Sequence, residues 1–157
     1  MAVGEHRHFS LHFSRLGTAA VAGAMALSMA ACGSSQAPGV SGPPTFSGPA
    51  QQSVTSDSGQ LSIAVRWWPV VPVQGNDAAE LTIVDVQGAP VDGLMMSIVP
   101  WMPAHGHGTA IQPTVTSTAT GVLMADPLYL FMAGEWQLRM TISGTVEDSA
   151  IATVEIP

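Results

Sequence analysis

The chain has 157 residues, only 10% of them charged, with no lysine and a formal net charge of −7 at pH 7. Arg66 and Arg139 are the only basic residues after Cys32, so the electrostatic footprint for DNA or RNA is missing and nucleic acid is excluded as a partner. The single cysteine excludes an internal disulfide and a cysteine-built zinc site.

Arg7 and Arg15, with His6, His8 and His12, make a weakly basic start, and Leu16 to Ala31 is uncharged and rich in Ala, Leu, Val and Met. A basic region, an apolar run and small residues, in that order, are expected of a secretory signal over residues 1–31. A spanning helix needs about 20 mainly apolar residues, more than this diluted run supplies. The segment Leu27-Ser28-Met29-Ala30-Ala31-Cys32-Gly33 resembles the lipobox of bacterial lipoproteins. That resemblance implies cleavage before Cys32, diacylation of its thiol with chains such as palmitate, and a bilayer as partner. Gly33 carries no inner-membrane retention signal, which implies the outer membrane, facing the periplasm. Each buried CH₂ contributes about 0.8 kcal/mol, so two or three acyl chains hold firmly.

Residues 33–57 are mostly Gly, Ser, Pro, Gln and Thr, too polar to offset the entropy of ordering. Residues 32–57 are therefore expected to be a flexible, lipid-anchored tether reaching roughly 25–30 Å.

The folded domain is expected over residues 58–157. Leu61, Ile63, Val65 and Trp67 alternate with polar or small residues, as in a strand with one buried face. A loop follows through Asn76, and Leu81 and Ile83 start a second strand that ends at Gln87-Gly88-Ala89-Pro90. Leu94, Met96 and Ile98 mark a third, closed by Pro100 and Pro103. Thr114–Thr120 reads as a Thr/Val strand, and the segment after Gly121 runs to Met132 with a break at Asp126-Pro127. Trp136, Leu138, Met140 and Ile142 give the clearest alternation, and Ile151, Thr153 and Ile156 a last strand. No helical period is visible. The expectation is an all-β fold: one immunoglobulin-like antiparallel β-sandwich of about seven strands.

Trp101-Met102-Pro103-Ala104-His105-Gly106-His107-Gly108 carries the chemistry. His105 and His107 are the only histidines after Cys32. In an extended segment, side chains two apart share a side, with Cα atoms roughly 6.5 Å apart, and two imidazoles so placed can converge on one ion. Met102 adds a thioether, and imidazole with thioether suits copper, Cu(I) above all. Zinc ordinarily takes more N, O or thiolate ligands than this loop offers. Gly-His-Gly is equally good exposed-loop sequence, and methionine is usually core filler, so the residues alone leave both readings open. Trp101 is expected either to shield the loop or to cap the sandwich, and Asp126 and Glu135 to be oxygen ligands or solvated turn residues. Trp136 reads as a core anchor, and one of Trp67 and Trp68 as core.

The run Met-Pro-Ala-His-Gly-His-Gly, with Leu130-Phe131-Met132-Ala133-Gly134-Glu135-Trp136-Gln137-Leu138 downstream, resembles the YtkA-like domain family of small exported β-sandwich proteins. The resemblance spans approximately residues 60–156. The family is loosely related to FixH-type proteins and copper-handling sandwiches, which implies copper handling and a membrane partner such as an oxidase assembly component. Met102, His105 and His107 match its loop, and Met132 matches the methionine before Gly-x-Trp. The implied function is a copper-binding protein with Met102, His105, His107 and Met132 as ligands. The alternative is a metal-free module that docks on a membrane complex. An enzyme is not expected: there is no Gly-x-Ser-x-Gly, no free cysteine nucleophile, and no carboxylate identifiable beside the histidines.

Overall fold

A computed structural model describes residues 42–157. The signal expected over 1–31, the acylation expected at Cys32 and the expected tether as far as Ser41 lie outside the described residues.

The described chain is built of strands: β1 (Gln52–Thr55), β2 (Leu61–Trp68), β3 (Gly75–Asp85), β4 (Leu94–Met102), β5 (His107–Gly108), β6 (Thr114–Ala119), β7 (Val122–Leu130), β8 (Gly134–Gly144) and β9 (Asp148–Ile156). They form a five-stranded sheet in the order β1-β2-β3-β7-β6 and a four-stranded sheet in the order β5-β4-β8-β9, with every named pairing antiparallel. The orders β2-β3-β7-β6 and β5-β4-β8-β9 are the A-B-E-D and C′-C-F-G orders of an immunoglobulin-type sandwich, with β1 added at one edge. The all-β immunoglobulin-like sandwich expected from the sequence is what forms.

Its core follows the alternation. Leu61, Ile63, Val65 and Trp67 of β2 face Trp136, Leu138, Met140 and Ile142 of β8 across the interior, with Leu81, Ile83, Leu123, Leu128, Leu130 and Ile98 filling between them. Trp136 is fully buried and Trp67 nearly so, while Trp68 stays partly exposed.

Several boundaries differ from expectation, each for a local reason. Two strands join the seven expected. Gln52–Thr55, inside the stretch read as tether, pairs with β2 from Gln52↔Val65 to Thr55↔Ser62; an edge strand needs partners for its backbone more than an apolar face. β5 has only two residues, too few for any periodicity. β4 does not stop at Pro100 but runs on to Met102. There β5 covers only Trp101 and Met102, so Pro100 is flanked by a ladder on one side, where a residue without an N–H is tolerated. β7 likewise passes through Asp126-Pro127, and the β3–β7 register shifts between Asp77 and Ala79 because Pro127 cannot donate to the ladder.

The sandwich has two unlike ends. One carries the turns at Ser56–Gln60, Val86–Gly93, Thr120–Gly121 and Thr145–Glu147. There Asp148 accepts hydrogen bonds from the Ser58 backbone N–H, at 3.1 Å, and from the Ser58 hydroxyl. Hydroxyl donation by Ser56 and Ser58 holds its carboxyl down at about 2. The other end carries the loops Pro69–Gln74, Pro103–Gly106, Thr109–Pro113 and Phe131–Ala133.

Asp77 is buried at the β3–β7 bulge. One carboxylate oxygen accepts from the Val73 N–H at 3.0 Å, and the other has no partner among the described residues. Burial pushes its pKa up to about 6, against the lowering effect of that one hydrogen bond. The folded state therefore holds the proton more tightly than the unfolded chain, and Asp77's contribution falls as pH rises from about 4 to about 6, by roughly 2–3 kcal/mol. Urea unfolding of the wild type and of Asp77→Asn between pH 5 and pH 7.5 should show the stability difference moving in favour of the variant as pH rises. A pH-independent difference would show that Asp77 is not the titrating group.

Candidate functional site

β4 ends at Met102, and the chain reverses through Pro103-Ala104-His105-Gly106. The His105 and Gly106 N–H groups donate to the Met102 carbonyl at 3.2 and 3.0 Å. Gly106 takes φ +67°, which glycine adopts without a Cβ penalty. β5 then returns with Trp101↔Gly108 and Met102↔His107 in register. Cross-strand partners share a face, so His107 and Met102 leave the sheet on the same side. Met102 goes into the core, 2% exposed; His107 lies at the open end of the sandwich.

His105 and His107 are both exposed, with ring centroids 5.6 Å apart and planes at 64°. Beneath them is an aromatic stack. The His107 ring lies 6.4 Å from Phe131, at 12° to it, and Tyr129 stacks on Phe131 at 6.0 Å. Phe131 in turn meets Trp136 edge-on at 5.6 Å. The Trp136 indole N–H donates to the Met132 carbonyl at 2.9 Å, which pins the turn between β7 and β8. With its proton on Nδ1, His107 donates to the Gly108 carbonyl at 3.2 Å and leaves the Nε2 lone pair free for an ion.

Met102 reaches that same turn. Its methyl carbon sits 2.9 Å from where a Cβ on residue 134 would stand, so Gly134 is the space Met102 occupies. Met132, partly buried, packs against the core two residues away. Met102, His105, His107 and Met132 are thus gathered at one end of the sandwich. Of the other candidates, Glu135 follows Gly134 at this same end, and the rest are elsewhere. Trp101 neither shields the loop nor caps the end: it lies on the outer face of the four-stranded sheet, with the Arg139 guanidinium carbon 4.6 Å from its ring centre. Asp126 lies within β7 and Glu135 within β8, not in turns, and among the described residues no three His, Cys, Asp or Glu side chains cluster.

Two contributors were not anticipated from the sequence: Phe131 supports His107, and Gly134 makes room for Met102. Gly108, like Gly106, reads from sequence as a glycine that frees the loop backbone, but what it permits is the close approach of β5 to β4, since a Cβ there would lie 2.3 Å from the Pro100 carbonyl oxygen. The family resemblance paired Phe131-Met132 with Gly-x-Trp, but nothing in the sequence placed Phe131 under a histidine.

The YtkA-like family model matches residues 56–141 of the chain, which takes in the histidine hairpin, Met132 and Trp136. No curated protein and no solved structure matches it.

Gly108→Ala should push β5 off Pro100 and leave the core intact. Amide exchange at His107 and Gly108 should rise at least tenfold while β8 amides keep their protection. Unchanged exchange in the hairpin would show that the close approach is dispensable.

Proposed function

We propose that this chain, which belongs to the YtkA-like family, is a membrane-anchored extracytoplasmic protein that binds copper through Met102, His105, His107 and Met132. The observation that carries this is the exposed imidazole pair 5.6 Å apart, with Met102 in register with His107. Two imidazoles that share one ion at about 2 Å from each nitrogen have their centres roughly 5–6 Å apart, and the observed separation supports that reading. Thioether beside imidazole favours Cu(I). Among the described residues no three His, Cys, Asp or Glu side chains cluster, so the ligand set proposed here is imidazole and thioether, without a carboxylate. The role that fits is binding and transfer of the ion, not catalysis, with acylated Cys32 holding the domain at the outer membrane. Its natural partner is a membrane protein that receives copper, such as an oxidase assembly component.

The residues divide the work. The hydrogen bond to Gly108 orients His107, Phe131 holds its ring flat, and His105 presents from the turn. Met102, packed beside Gly134, would supply the thioether from the core side.

A second reading, a metal-free docking module, has one observation in its favour: the loops around the histidines expose Val70, Val71 and Phe131. Cu(I) titration against a competing chelator separates the two. The wild type should bind at least 100-fold more tightly than His105→Ala/His107→Ala. Met102→Leu, which keeps core volume, should lose about tenfold. Equal, weak binding by wild type and double variant would leave only the docking reading. Binding should also weaken as pH falls from 7.5 to 5.5, because a proton competes for each imidazole. A flat pH response would remove the histidines from the ligand set.

A further inference from the structure

We infer that the histidine end of the sandwich rests directly on a lipid bilayer, with the loops Pro69–Gln74 and Phe131–Ala133 as its apolar contact. This builds on the anchored reading above and adds an orientation to it.

Three observations converge. The first is exposed apolar side chains. Val70, Val71 and Val73 stand exposed between β2 and β3, Phe131 between β7 and β8, and Ile111 between β5 and β6. Strand order and register put all of these connections at one end. Val86 apart, the other exposed large apolar side chains among the described residues (Met95, Val99 and Ile151) lie on the outer face of the four-stranded sheet.

The second is charge. The loops Pro69–Gln74, Pro103–Gly106, Thr109–Pro113 and Phe131–Ala133 contain no Asp, Glu, Lys or Arg. The opposite end carries Asp57, Asp85, Asp92, Glu147 and Asp148, with no basic residue near them in sequence. An anionic bilayer surface repels that acidic end, while the loops of the histidine end carry no charged side chain, its Asp77 is buried, and Pro157 is held there by the Gln74 side chain at 2.9 Å, so this end is the freer to approach. The nearest carboxylates on the four-stranded sheet, Glu135 and Glu155, face each other in register just inside its edge. They limit the contact to the loop tips and tilt that sheet away from the lipid.

The third is where the chain comes from. Gln51 donates its N–H to the Val65 carbonyl at 3.0 Å, and its side chain accepts from the Trp67 N–H at 2.9 Å. Gly48 is held by Arg66 at 3.3 Å. β1 then runs away from the histidine end, so the described chain enters β1 from that end. Gly48 lies 16 residues after Cys32, so an anchor at Cys32 lies nearer along the chain to this end than to the acidic one. A tether that enters beside an uncharged, valine-rich end turns that end toward the lipid. The imidazole pair then lies at headgroup level, where a membrane-embedded recipient opens.

The test uses the full acylated chain in vesicles of phosphatidylethanolamine and phosphatidylglycerol. Val71→Cys and Val86→Cys sit at opposite ends and replace side chains that are equally exposed, at 69% each. Because the acyl group blocks Cys32, a spin label attaches only to the new thiol. Power saturation should show the label at 71 more accessible to oxygen than to a water-soluble nickel chelate, and the reverse at 86. Water-like values at both positions, in protein that floats with the vesicles, would overturn the orientation and leave the anchor standing. Protein that does not float with them would overturn the anchored reading and this inference together. A label at 71 that is water-like in lipid vesicles but immobilised in native membranes would assign the end to a protein partner and overturn the lipid contact.

Discussion

The hydrogen bond from the buried Trp136 indole to the Met132 carbonyl organises the functional end of this molecule. An indole N–H sealed in an apolar core needs an acceptor, and leaving it without one costs about 1–3 kcal/mol. Met132 supplies it from the turn that crosses between the sheets, so the turn cannot move without exposing that cost. Phe131 is then fixed over Trp136 and beneath His107, and Gly134 is fixed as the space that Met102 fills. The geometry of an exposed hairpin thus depends on a contact made in the core.

The same arrangement explains why the two ends differ so much. At the acidic end, stability comes from hydrogen bonds: Ser58 to Asp148, and the Ser149 hydroxyl to Asp57. At the histidine end it comes from aromatic stacking and from methionine packed against glycine. Stacked rings and thioethers tolerate low polarity, while carboxylate–hydroxyl networks want water nearby. Each end is therefore built for a different neighbour. Asp77, buried beside the Pro69–Gln74 loop with one oxygen unpartnered among the described residues, is the exception, and burial raises its pKa accordingly.

How much of this the sequence revealed depended on periodicity. The alternation in Leu61–Trp67 and Trp136–Ile142 identified two central strands, because inward positions there are large and apolar without interruption. Gln52–Thr55 offers only Val54 to the interior, and His107–Gly108 is too short to alternate, so both pass as loop. Pro100 and Pro127 read as breaks because a proline's missing N–H is visible in sequence, whereas the one-sided pairing or the bulge that accommodates it is a property of the neighbouring strand. The His-x-His pair was legible because its spacing is local. Its support was not, since Phe131 and Gly134 reach the hairpin only through the packing of β8 against β4.

That division bears on how such a site exchanges an ion. Met102 is in the core, and withdrawing its side chain would leave a cavity beside Gly134 at a cost on the order of 2–5 kcal/mol. His105 and His107 are exposed on a hairpin held by two strand residues. On the proposed reading, the thioether is the stationary ligand and the imidazoles are the mobile ones. An ion would be captured first at the open pair and settled against the sulfur. Release would begin by loss of an imidazole, to a recipient or to a proton. A soft, fixed ligand alone would hold Cu(I) without passing it on, and two exposed histidines alone would hold it weakly. Only the pairing of a core residue with a short, glycine-flanked hairpin gives both retention and release. On the same reading Gly108, which lets that hairpin lie against Pro100, would serve the function as much as any ligand.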